Sequence, residues 1–372
     1  MGNKYKIKWW EPVIGKEEYK FIKQSLDSSF PNEGPLTTLF EQKICKLVGC
    51  KYAVALTNAT SAMSLSLKAL GIGYGDEVIV PDMTFIATAN AVEMCGAKPV
   101  LVDVDPKTLT MDTSAFEEAM TEKTKAVIPV HVCGRAADMD KITDISKKNN
   151  LYVIEDAAEA LMSRHKGKYL GTFGKTGCFS FSPHKIITTG QGGMVITDDH
   201  EVYIRLCELK DQGRPKRGTG GDDIHDVIGY NFKFTDLQAA VGLGQLTYLK
   251  SRMERTKRIY KLYTENLQDA DGITLFKFNL EEGEQPLWTD AIVEKRDELD
   301  KYLLSNGIES RRFWFPLHTQ KPYKLDDSRF PSSISLSKKA LWLPSAYTLS
   351  DDDIISVCDH IQEFMKNEKK KN

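Results

Sequence analysis

Residues 179–197 read FSFSPHKIITTGQGGMVIT: an apolar, strand-like FSF, a Pro-His-Lys corner, a loop holding Gly190, Gly192 and Gly193, and a second strand from Met194 to Thr197. Lys185 stands at the corner. A charge between two buried strands is expensive, so the position favours the neutral, nucleophilic amine, the form that makes imines. The plainer alternative has Lys185 crossing a hairpin and pointing into water. The loop alone does not separate the two.

Upstream, from Tyr52 to Glu155, short apolar runs alternate with amphipathic stretches: AVAL then Ser61 to Leu70, EVIV then Phe85 to Met94, PVLV then Thr113 to Met120, AVIPV then Asp138 to Lys148, and finally YVIE. That rhythm predicts a mostly parallel sheet covered by helices on both faces, an α/β fold whose ligands gather at the carboxyl ends of the strands. Three strand ends carry candidate chemistry. AVAL runs into Thr57-Asn58-Ala59-Thr60-Ser61, a small polar turn opening a helix, where backbone N–H groups and two hydroxyls would hold a phosphate. An ordinary Thr or Ser N-cap is the alternative. EVIV runs into PDMTF, setting Phe85 at the same edge, either against a planar ligand or in the core. YVIE runs into Asp156, so a carboxylate stands at the tip of a buried strand; the Asp-Ala-Ala-Glu spacing to Glu159 would equally suit a helix capping box.

Together these pieces have one chemical meaning. A strand-tip carboxylate, an aromatic face, a hydroxyl-lined helix N-terminus and a buried lysine supply what pyridoxal phosphate (PLP) requires. Asp156 would pair with the protonated pyridine nitrogen, Phe85 would stack on the ring, Thr60, Ser61 and Ser180 would take the phosphate, and Lys185 would hold the aldehyde. The constellation is far more specific than any one of its members.

EDAAEA, FSFSPHKIITTGQGGMVIT, TNATSA, GDEVIVPDMTFIATANAV and YNFKFTDLQAAVGLGQL together resemble the DegT/DnrJ/EryC1/StrS aminotransferases over nearly the whole chain, most densely from Tyr52 to Leu246. The resemblance implies the fold-type I architecture of PLP enzymes. A large domain with a mostly parallel, seven-stranded type of sheet would span residues 1–250, its N-terminal segment contributing to the substrate site, and a smaller α+β domain residues 251–372. It implies Lys185 and Asp156 as the catalytic pair. Ala59, Thr60, Ser61, Phe85 and Ser180 would hold the cofactor, with Glu159 near its phenolic oxygen. Asn231 of YNFKFTD would reach the phosphate of the neighbouring subunit's cofactor, making a homodimer with shared active sites.

Within the family the look is that of the perosamine-synthase branch, through HKIITTGQGGM, PVHVCGRAADMD and GIESRRFWFPLH. The substrates implied are L-glutamate and a GDP-linked 4-keto-6-deoxy sugar, in the supply of amino sugars to a surface polysaccharide such as O antigen. A UDP- or dTDP-linked 3- or 4-keto sugar, or an eight-carbon keto sugar, stays open. Asn32, Glu33, His184, Arg214, Arg311 and His318 are the substrate-binding candidates. Lys216 and Arg217 are held equally open between meeting a nucleotide diphosphate and forming a solvated charge run. Three departures from the family bear on the sugar rather than the chemistry: Ala59 where glycine is usual, FPNEGP in place of a Ser-rich turn, and His184 where the branch commonly has asparagine.

The remaining residues set bounds. Fifty basic against 52 acidic residues, net charge −2, give no general attraction to nucleic acid or an anionic membrane. No apolar run is long enough to span a bilayer and the polar start MGNKYKIKWW lacks a signal-peptide core, so a cytoplasmic setting is expected. Seven scattered cysteines without a CxxC pair indicate neither disulfides nor a metal site. Helices are expected over Lys16 to Asp27, Leu36 to Leu47, Glu201 to Leu209, Arg296 to Asn306 and Ser350 to Met365, and one long helix from Thr235 to Tyr260. Three rivals remain. A PLP-dependent sugar dehydratase is disfavoured by an intact lysine and the lack of a cysteine cluster, and a non-catalytic regulator by intact Lys185 and Asp156. A dinucleotide oxidoreductase is disfavoured by the absence of GxGxxG after the first strand.

Overall fold

The computed structural model describes residues 6–29, 31–215 and 223–370. Thirteen strands occur among them: β1 Tyr52–Leu56, β2 Glu77–Pro81, β3 Lys98–Val102, β4 Thr124–Val127, β5 Tyr152–Asp156, β6 Arg164–His165, β7 Lys168–Tyr169, β8 Thr176–Ser180, β9 Gly193–Thr197, β10 Ile273–Leu275, β11 Asp290–Val293, β12 Arg311–Arg312 and β13 Ala340–Trp342. Seven of them form one sheet in the order β1-β9-β8-β5-β4-β2-β3. All neighbours in it run parallel except β9, which is antiparallel to both β1 and β8. The strand-like runs on either side of Lys185 are thus paired neighbours, β8 and β9, and the lysine sits on the loop between them.

Side chains alternate across this sheet with a period of two. Ala53, Ala55, Val153, Phe179 and Met194 enter one apolar layer, while Val54, Leu56, Ile154, Cys178 and Val195 enter the layer on the other face. Both faces are covered by helices, which is why these strands read as unbroken apolar runs. A second, antiparallel sheet, β10-β11-β13-β12, packs on helices Leu249–Leu267 and Asp351–Lys369 and has an apolar layer of its own.

The N-terminal strap joins this smaller layer. Ile7 bridges Ile308, the Glu309 N–H donates to the Ile7 carbonyl at 2.9 Å, and the Ser345 N–H donates to the Trp9 carbonyl at 2.9 Å. All five tryptophans meet at this seam. Ring centroids lie 5.2 Å apart for Trp9–Trp288, 5.8 Å for Trp9–Trp342, 6.3 Å for Trp10–Trp288, 5.2 Å for Trp288–Trp342 and 5.0 Å for Trp314–Trp342.

The expected single helix from Thr235 is two, Asp236–Leu246 and Leu249–Leu267. Its start is as read: Thr235 and Gln238 form a capping box. The break follows from the tightened bonds Thr247 N–H to Gly244 carbonyl and Tyr248 N–H to Gln245 carbonyl, with the Thr247 hydroxyl also on the Gly244 carbonyl. Gly244 faces helix Lys16–Asp27, where a Cβ would lie 2.6 Å from Glu18 Cα.

Candidate active site

The carboxyl ends of β1, β2 and β5 and the loop after β8 open on one cavity of about 320 Å3, within the range of small-ligand sites. Ala59, Thr60, Phe85, Asp156, Glu159, Ser180, His184, Lys185 and Arg311 all line it.

Helix Ala59–Ala69 begins directly after β1, and its N-cap is Asn58, whose side chain accepts from the Ser61 N–H at 2.8 Å. The Ser61 hydroxyl donates back to the Asn58 carbonyl at 2.7 Å and the residue is buried. Ser61 is therefore occupied in the cap and does not line the cavity, which corrects the expectation that both hydroxyls face a phosphate. The first-turn N–H groups of Ala59 and Thr60 have no acceptor within their own helix. Gly193 explains how β9 passes so close to this turn: a Cβ there would stand 2.3 Å from the Asn58 carbonyl carbon and 2.5 Å from Ala59 N.

Asp156 is 5% exposed at the tip of β5. Its Oδ2 accepts from the Thr88 hydroxyl at 2.8 Å and its Oδ1 from the Ala158 N–H at 3.2 Å. Burial raises its pKa above the usual carboxylate range; these two hydrogen bonds, and more weakly Lys185, pull the other way. No helix follows, since 157–163 is irregular, so the capping-box alternative falls. Thr88 was not legible in the sequence: it is one hydroxyl among many, brought under Asp156 by the first turn of helix Ala87–Cys95. Phe85 is 55% exposed, a large apolar ring left open at the cavity rather than in the core.

Lys185 Nζ donates to Glu159 Oε1 at 3.2 Å and lies 5.0 Å from the Trp288 ring centroid. Glu159 is fixed from behind by the Cys133 N–H, 2.8 Å from its Oε2. Cys133 itself adopts a left-handed φ of 56°, a strained backbone for a non-glycine residue, and receives the Trp342 indole N–H on its sulfur at 3.2 Å. Beneath it His131 accepts the Ala137 N–H on Nδ1, so its Nε2–H faces Glu155, 3.0 Å away. His184 has its pKa lowered by burial first and then by the Arg311 and Lys185 charges. Arg311 lies over the Trp9 and Trp342 rings, 4.8 and 5.5 Å from their centroids. The tryptophan wall, Trp288, Trp314 and Trp342, escaped the sequence reading because its members lie far apart along the chain.

The other candidates lie elsewhere in this subunit. Glu33 is turned inward onto buried Lys210, 2.7 Å from Nζ, and Asn32 accepts the Asp236 N–H on its carbonyl. Arg214 pairs with Asp211 and Asp223. His318 is fully buried, donating from Nδ1 to Asp82 at 2.7 Å and stacking on Phe330. Asn231 is exposed on the bridge to Asp211, away from this subunit's cavity. Lys216 and Arg217 lie outside the described residues. Among the described residues no group of three or more His, Cys, Asp or Glu is placed to hold a metal ion, and no helix is long and apolar enough to cross a membrane.

The cavity fits PLP by its own chemistry. Asp156 is a buried acid with only two neutral donors, the first-turn N–H groups are open to an anion, and an apolar ring has no other cover. GDP-perosamine synthase of Escherichia coli O157:H7 is 38% identical, covering 95% of this chain and 97% of its own. The Streptococcus pneumoniae protein Spr1654, solved in its PLP form, superposes with a TM-score of 0.91 at 28% identity over 98% of this chain and 99% of its own. DesI, solved in the presence of its TDP-sugar product, gives a TM-score of 0.90 at 28% identity over 100% of this chain and 95% of its own. With the family profile matching residues 12–362, the chain belongs to the DegT/DnrJ/EryC1/StrS aminotransferase family and is a PLP-dependent sugar aminotransferase.

Proposed function

We propose that this enzyme moves an amino group from L-glutamate to a GDP-linked 4-keto-6-deoxy sugar, in the cytoplasm, as a homodimer whose partner supplies Asn231 to each site. The observation that carries the catalytic reading is that Lys185 and Asp156 line one cavity together with Phe85 and the first turn of helix Ala59–Ala69. Likeness to GDP-perosamine synthase supports the GDP sugar. DesI, crystallised with a TDP-sugar, favours a TDP-linked substrate as the second reading. The large unit is proposed to run to residue 250 and the small one from 251.

When bound, PLP supplies an aldehyde that condenses with amines and a ring that draws electrons from the adjacent carbon. Ala59, Thr60 and Ser180 would hold its phosphate, and Phe85 its face. Asp156, ionised, would keep the ring nitrogen protonated, the pairing relieving the burial cost that raises its own pKa. Lys185 would hold the aldehyde at rest and, once displaced by the donor amine, take the proton from the glutamate α-carbon. In the second half it would deliver a proton to the sugar carbon that receives nitrogen. Glu159, tied to Cys133 N–H, would keep the freed amine aimed into the cavity. Trp288 and Trp342 would shield these transfers from water.

The test supplies glutamate with a panel of GDP-, UDP- and dTDP-linked keto sugars and identifies products by mass and NMR. Aminated GDP-4-keto-6-deoxy sugar is expected as the preferred product, and preference for another nucleotide would reject the assignment. In Lys185→Ala, turnover should collapse and the near-visible absorption band shift.

A further inference from the structure

The segment carrying Lys185 is gripped from both sides by groups that do not line the cavity. On one side the Trp10 indole N–H donates to the Pro183 carbonyl at 3.0 Å. On the other, Arg252 Nη1 donates to the Ile186 carbonyl at 3.1 Å, and the Thr188 N–H donates to Gln245 Oε1 at 3.2 Å. The two grips are joined. The Val13 carbonyl accepts from Gln245 Nε2 at 2.8 Å and from Arg252 Nη2 at 3.1 Å, three residues along the strap from Trp10. Arg252 also bonds Gln245 Oε1, and Gln245 bonds the buried Glu18 carboxylate. Arg252 is 5% exposed, and Gln245 and Glu18 are fully buried.

A lysine side chain has four rotatable bonds, so its amine is placed only as well as its backbone is held. Here the carbonyls at 183 and 186 are fixed by an indole and a guanidinium from segments far away in sequence, each linked to residues 10–13. A misplacement of about 1 Å at a reacting group costs roughly a hundredfold in rate, which is what such a clamp guards against.

We propose that Arg252 and Gln245, together with Trp10 of the N-terminal strap, are positioning residues for Lys185, and that ordering of the strap is thereby coupled to placement of the amine. The proposal rests on the reading of Lys185 as the cofactor-bearing residue. Hydrogen exchange followed by mass spectrometry on the full chain without cofactor tests it. In Arg252→Met, exchange in peptides spanning 182–189 should rise by about tenfold or more, the scale of losing one hydrogen bond to a charged group, while peptides across 77–127 stay at wild-type rates. Trp10→Phe, which removes the indole N–H and keeps a smaller aromatic ring, should raise exchange in the same peptides by less.

In the loaded enzyme kcat should fall about tenfold in Arg252→Met with the keto-sugar KM within about twofold, and Arg252→Lys should recover part of the loss. Unchanged exchange across 182–189 in Trp10→Phe overturns the proposal, and that variant decides alone should Arg252→Met not fold. Retained turnover in Lys185→Ala would instead remove the functional reading, leaving the exchange result to stand by itself.

Discussion

Arg135 and Asp290 face each other across the seam between the two sheets, with Arg135 Nη2 2.7 Å from Asp290 Oδ2 and 3.0 Å from Oδ1. Both are buried, and the guanidinium lies against Phe276 and Phe278, 5.1 and 4.6 Å from their centroids. Removing one partner of such a pair strands the other charge, so Asp290→Ala should cost about 3–5 kcal/mol, read from the urea midpoint at constant slope. The double replacement Arg135→Met with Asp290→Leu should recover much of that loss. A single variant within about 1 kcal/mol of wild type would show that the pair does not hold the seam.

Asp156→Asn keeps the shape and the Thr88 bond but removes the charge. It should lower kcat by roughly two to three orders of magnitude, the size of losing one preorganised electrostatic contact, with the fold intact by circular dichroism. Turnover near wild type would remove Asp156 from the catalytic assignment.

Gly193→Ala places a methyl 2.3 Å from the Asn58 carbonyl carbon and so must push back the start of helix Ala59–Ala69. Cofactor affinity, titrated by fluorescence, should weaken by about a hundredfold. Wild-type affinity in Gly193→Ala would argue against the turn as the phosphate cradle.

The neutral ring of His184 is favoured in the folded chain, because burial, Arg311 and Lys185 all lower its pKa. As pH falls below about 6.5 the unfolded chain takes that proton first, so this residue's cost to stability grows until the folded imidazole titrates too and is constant below that point. Arg311→Gln removes the larger of the two repulsions and should raise the His184 titration, followed by imidazole carbon NMR. A titration that stays put would mean that the two side chains do not sense each other.

Much of the architecture was legible because it is local. The alternation around AVAL, EVIV and YVIE is the period-two burial of strands covered on both faces, and Lys16–Asp27 reads as a helix from its own spacing. Within the site, Asp156 was expected at a strand tip, where parallel sheets place ligands, and Lys185 at the corner between two strands; both line the one cavity. What escaped was set by distant contacts. The end of helix Asp236–Leu246 depends on packing against Glu18, Ser61 was taken up by a cap that Asn58 provides, and Glu33 was drawn inward by Lys210. Thr88 and the tryptophan wall carry no pattern of their own.

The gathering of every indole at one seam has an optical consequence. Rings this near share excitation, so tryptophan emission, excited selectively, reports the polarity and filling of a single corner. Titrating a quencher or chromophore into that corner would dim all of the emitters together, whereas events on the far face of the large sheet would leave the spectrum unchanged.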